Sequence, residues 1–210
     1  TNFYGDNTAV GNDALAKHTQ SASNSAFGAR AMGNSVYSAN YCCAFGVEAL
    51  GTGQNTATGL VAIGYRALTD NTTGSGSLAV GRFSLMENTT GMQNTGVGEG
   101  TLRTVTTNSE NTALGFNALK DCTGSRNTAV GHEALLANTS ANECVAVGQE
   151  ALHDNTTGNR NVALGQKAGD NLTTGSNNII IGSNTDASSA TVSIPSPSSA
   201  AFCFVFSISF

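Results

Sequence analysis

One glycine returns every 16 to 18 residues along this chain, eleven times in succession: Gly11, Gly28, Gly46, Gly64, Gly81, Gly98, Gly115, Gly131, Gly148, Gly165 and Gly182. Around each lies a variant of one phrase, Asn-Thr-Ala-Val-Gly-x-x-Ala-Leu, as in residues 7–15, 111–119 and 127–135. A period this short specifies stacked repeats, because a single coil cannot bury its apolar side chains alone. The expected fold is all-β: a β-solenoid or β-roll of about eleven coils of ~17 residues, with short parallel strands. At ~4.8 Å per coil the stack makes a rod roughly 50 Å long. The repeat domain is expected over residues 1–186, followed by a linker at 187–201 and an apolar strand at 202–210.

With the glycine as position 0, position −1 is large and apolar in every copy, for example Val10, Phe45, Ile63, Leu114 and Ile181. Position −2 is Ala in nine copies, with Gly96 and Ile180 as the exceptions. Position −3 mixes Thr8, Thr95, Thr112 and Thr128 with aliphatic residues. Successive side chains of a strand alternate faces, so −1 and −3 are expected to line the interior and −2 to point outward. A strand apolar on both faces is covered on both sides, which predicts a second chain packed over the outward alanines. The same assignment turns the −3 threonines inward and argues against an outward threonine array of the kind that binds ice.

The glycine is expected to turn the backbone at a positive φ that other residues resist. An Ala-Leu pair follows, as in Ala118-Leu119 and Ala134-Leu135, and is read as a second wall of short strands. A polar corner, Asn-Thr-Thr-Gly at 71–74, 88–91 and 155–158, closes the coil with turn-forming residues. Position −4 is Asn in seven copies, including Asn24, Asn94, Asn111 and Asn127, and predicts a side-chain amide ladder from coil to coil.

These residues resemble the head repeats of trimeric autotransporter adhesins, which carry an Asn-Ser-x-Ala-Ile-Gly phrase in a parallel β-roll. They are also similar to repeats in tail-fibre-like proteins of bacteriophages and in secreted repeat proteins of aquatic microbes. The resemblance implies a β-roll, a trimer of such rolls, and an extracellular location at a cell or virion surface. The adhesin heads use a shorter coil than this chain, the extra residues here falling in the Asn-Thr-Thr-Gly corner.

Charged residues make up 11% of the chain and the net charge is −5. Nucleic acid is not an expected partner, since that calls for a clustered Lys/Arg face. No stretch reaches the ~20 apolar residues of a membrane-spanning helix. The chain opens at Thr1 on a partial repeat, which reads as a processed or incompletely represented product. Cys42 and Cys144 share a repeat position six coils apart, roughly 29 Å at the coil spacing and beyond disulfide reach. Cys42 and Cys43 point to opposite faces of one strand. No internal disulfide framework is expected, and Cys203 is the candidate for an intermolecular bond.

His18, His132 and His153 fall at different repeat offsets, and no paired carboxylates or Ser/His/Asp set recurs on neighbouring coils. Residues 96–100, Gly-Val-Gly-Glu-Gly, mimic a nucleotide loop, but their glycines follow the repeat phase. No catalytic, cofactor or metal site is expected. Five Asn-x-Ser/Thr sequons occur, at Asn71, Asn88, Asn138, Asn155 and Asn171, and are expected along one exposed corner. They read either as turn chemistry or as a stripe of covalent glycans. In the tail, Phe202, Phe204, Phe206, Ile208 and Phe210 alternate and form one apolar face. That face either folds back as a cap or donates a strand to the next subunit. The expected function is a structural protein self-assembling into an extracellular fibre. The alternative is a phage tail-fibre segment or adhesin head that binds a cell-surface glycan or receptor.

Overall fold

The computed structural model describes residues 5–18, 21–33, 39–51 and 56–185. The strands are β1 (Thr8–Val10), β2 (Ser25–Phe27), β3 (Cys43–Phe45), β4 (Val61–Ile63), β5 (Leu78–Val80), β6 (Thr95–Val97), β7 (Thr112–Leu114), β8 (Thr128–Val130), β9 (Val145–Val147), β10 (Val162–Leu164) and β11 (Ile179–Ile181). They form one parallel eleven-stranded sheet in strict sequence order. Every pair is in repeat register, so Ala113 pairs with Ala129 and Leu114 with Val130. Among the described residues there is no helix, and the chain is a β-solenoid of about ten turns. The apolar tail, with Cys203, and the boundary at residue 186 lie outside the described residues.

The anchor glycine is required twice over. From Gly11 to Gly182 its φ lies between +128° and +141°, a region that L side chains avoid. From Gly11 to Gly165, an added Cβ would also lie 2.3 to 2.6 Å from the carbonyl oxygen of the next coil's glycine. Strand spacing therefore leaves no room for a methyl group in this column.

The Ala-Leu wall is not a second sheet, as the sequence reading expected; it is a run of turns. Positions +2 and +4 both take left-handed backbone, as at Glu133 (φ 54°) and Leu135 (φ 52°). This conformation disfavours branching at Cβ, which explains why +4 is Leu or Met, in the described coils, and never Val or Ile up to Leu152. Coil-to-coil bonding continues through these turns nonetheless: Leu119 N donates to Ala134 O at 3.0 Å and Leu135 N to Ala151 O at 2.9 Å.

The core also reverses the expected faces. Position −2 points inward: Ala26, Ala44, Ala62, Ala113, Ala129 and Ala146 are fully buried. They meet the +3 alanines and the +4 leucines of the turn wall, such as Ala134, Leu119 and Leu135, also fully buried. Positions −1 and −3 face outward. The physical reason is width, since where Leu or Met stands at +4 only a methyl group fits between the sheet and the turns behind it. At Gly96 even that is too much. Its Cβ would fall 2.7 Å from Ser84 Oγ and 2.8 Å from Thr101 Oγ1, two hydroxyls standing where other coils have Ala. Those hydroxyls bond each other at 2.8 Å, and Ser84 Oγ donates to Gly96 O at 3.1 Å.

Two interior columns are polar. Asn111 Oδ1 accepts from Asn127 N at 3.0 Å, and Asn111 Nδ2 donates to Gly124 O at 2.9 Å. The same pattern links Asn94 to Asn111 and Asn161 to Asn178, each at 2.9 to 3.0 Å through the backbone N–H. The amide ladder expected at −4 is thus present, and it satisfies backbone groups that the corner would otherwise bury unpaired.

Candidate interaction face

Because strand side chains alternate, placing −2 inside forces −1 and −3 outside. The outer face of the sheet therefore carries Val10, Phe27, Phe45, Ile63, Val80, Val97, Leu114, Val130, Val147, Leu164 and Ile181 in one unbroken column. Val10 and Phe45 are each 56% exposed, Leu114 and Ile181 47%. Beside them at +1 stand Val47, Tyr65 and Phe116, also exposed. Rings stack from coil to coil along this side: Phe27 on Phe45 at 5.6 Å and Phe116 on His132 at 5.3 Å between centroids. A contiguous apolar strip of this kind, rimmed by polar residues, marks an interaction surface. The −3 threonines point into the same face, contrary to expectation, but stand among these large apolar side chains and do not form a hydroxyl array.

Charged side chains border the strip. Arg30 pairs with Glu48 at 2.6 Å, Lys167 with Glu150 at 3.0 Å, and Arg82 with Glu99, all between adjacent coils. On the other border Arg126 pairs with Glu143 at 3.1 Å. The hydrogen bond from Lys167 holds the Glu150 carboxyl below the usual carboxylate range. The arrangement is an apolar centre with a polar rim, the anatomy of a protein interface.

The sequons divide. Asn71, Asn88, Asn138 and Asn155 are buried, contrary to the expected exposed corner. Asn88 Nδ2 donates to Asn71 Oδ1 at 2.8 Å, and Asn155 Nδ2 to Gly158 O at 2.9 Å. It is the threonines that face out: Thr72 and Thr156 donate to the carbonyls of Thr89 and Thr173 in the next coil at 2.9 and 3.0 Å. Asn171, one residue earlier in its coil, is exposed.

The cysteines Cys42, Cys122 and Cys144 are buried and Cys43 is half-buried; all four are free thiols. Burial pushes the Cys122 thiol up to about 11. Cys42 points inward and Cys43 outward, as alternation requires.

The histidines stand in different surroundings. His18 is partly buried with Nδ1 2.5 Å from Ser21 Oγ, and burial lowers its pKa. His153 Nδ1 lies 2.6 Å from Asp154 Oδ1. His132, Glu133 and Glu150 bring one ligand atom each within 4.8 Å of one another, a grouping the sequence reading did not identify. Its signal was repeat phase: Glu133 and Glu150 share offset +2, one coil apart. Lys167 occupies one side of this group through Glu150.

No helix among the described residues is long and apolar enough to cross a membrane. Comparison of the chain with family models, curated proteins and solved structures returns no match.

Proposed function

We propose that this chain is a structural protein whose β-solenoid rods associate with copies of themselves to build an extracellular fibre. The observation that carries this reading is the outer sheet face, an apolar column eleven strands long that the fold leaves in water. Covering such a surface stabilises association by the same transfer free energy that drives folding. The Asn/Thr/Ser/Gly composition, low in charge, and the amide ladders that tie successive coils suit a stiff rod.

Sedimentation velocity and negative-stain electron microscopy of the whole chain test the reading, with Leu114→Asp/Val147→Asp as the contrasting variant. Both positions are exposed, so the variant is expected to keep the wild-type circular dichroism and a cooperative melt, lowered only by the stabilisation that association supplies. Assemblies in the wild type and single rods in the variant support the proposal. Single rods in both would sink it and favour a monomeric binding segment. Assemblies in both, lost only on removing residues 187–210, would transfer the role to the apolar tail.

A further inference from the structure

Resting on that reading, we infer that the building unit of the fibre is a pair, in which the face receives a second copy of this chain running parallel and in register, with the −3 column of each copy seated on the −1 column of the other. The dimensions fit a pair. Eleven strands at ~4.8 Å and a five-residue width at ~3.3 Å per residue make a face of about 50 by 16 Å. That is roughly 800 Å² per copy, the amount a stable two-protein interface buries on each partner.

Direction follows from side-chain volume. The two coils with the bulkiest −1 residues, Phe27 and Phe45, carry the smallest −3 residues, Ser25 and Cys43. Where −1 is of middle size, −3 is larger, as in Leu78 with Val80 and Val145 with Val147. A two-fold axis along the rods places −3 of one coil opposite −1 of the same coil in the partner. Ser25 then meets Phe27, and Cys43 meets Phe45, so the bulkiest side chains of the face lie on the smallest. Close-packed cores require this matching, since voids and overpacking both destabilise. Rods running in opposite directions would instead set Phe27 against Leu164, large on large, and Ser25 against Val162 with space to spare.

Pulsed dipolar spectroscopy decides the direction. Spin labels are attached singly at Asp6, Gln93 or Asn177, at −5 in the first, sixth and eleventh coils and outside the five-residue face, in a Cys43→Ser/Cys203→Ser background. The remaining cysteines are buried and resist labelling. One common inter-copy distance at all three sites is the expected result. A short distance at Gln93 alone, with the end labels separated by about 50 Å, would overturn the parallel arrangement and leave self-association standing. Absence of any inter-copy coupling, with single rods in sedimentation, would overturn both.

Discussion

Ile180 fills in the last described coil the space that Gly169 leaves open: a Cβ on Gly169 would lie 2.5 Å from Ile180 Cδ1. Gly169 holds the +4 position where the earlier coils have Leu or Met, and Ile180 holds the −2 position where they have Ala or, at Gly96, Gly. The two departures from the repeat therefore answer each other, as Gly96 answers Ser84 and Thr101. The core volume of a coil is conserved while its distribution is not.

That pairing predicts strong coupling. Gly169→Leu overpacks the core and Ile180→Ala opens a cavity, each costing about 2 to 4 kcal/mol. The double variant restores the repeat consensus and is expected to recover most of the loss. Urea denaturation of the four proteins measures this; additive losses would show that the two residues do not share a space.

The amide ladder predicts a second loss. Asn111→Ala removes the acceptor for Asn127 N and the donor to Gly124 O. Stranding two buried polar groups costs about 2 to 5 kcal/mol, although Asn111 contributes almost no apolar burial. A change under 0.5 kcal/mol in the same denaturation assay would mean that water enters the corner.

Alkaline pH is expected to weaken the rod. Cys122 has its thiol raised from 9.0 to about 11 by burial. Below pH 9 both folded and unfolded chains carry the protonated thiol, and its stabilising contribution is fully present. Between 9 and 11 the unfolded chain releases the proton first, so stability falls by up to about 1.4 kcal/mol per pH unit. Cys122→Ala should make this part of the melting profile shallower, the Cys42 and Cys144 thiols, also raised by burial, supplying the remainder. An unchanged slope would assign the alkaline loss to other groups.

Burial divides the sequons in a way that mass spectrometry can read. In folded protein secreted from a glycosylating host, Asn171 is the expected occupied site, and Asn71, Asn88, Asn138 and Asn155 are expected bare. A glycan on Asn88 could not coexist with its bond to Asn71. Its detection in folded material would contradict the inward orientation of that column.

Much of this architecture was legible in the sequence because it is periodic. The glycine column declares the coil length, and the −4 asparagines declare a ladder, since each needs only its own copy one coil away. The turn wall was less legible: a left-handed Leu is indistinguishable from a strand Leu until its neighbours' backbone is known. The sequon corner misled for a related reason, because Asn-Thr-Thr reads as surface chemistry whichever of its side chains turns inward.

What the sequence determined by itself was the repeat, its period, the parallel register and the alternation of −1 and −3 against −2. Which of those two sets is inside was decided only by the tertiary structure. Alternation has two solutions of opposite sense, and hydrophobicity favours the larger residues as core. The closeness of the turn wall selects the other solution, because the gap behind the sheet admits Ala and excludes Phe. That choice places the apolar column on the surface, where the proposed function resides.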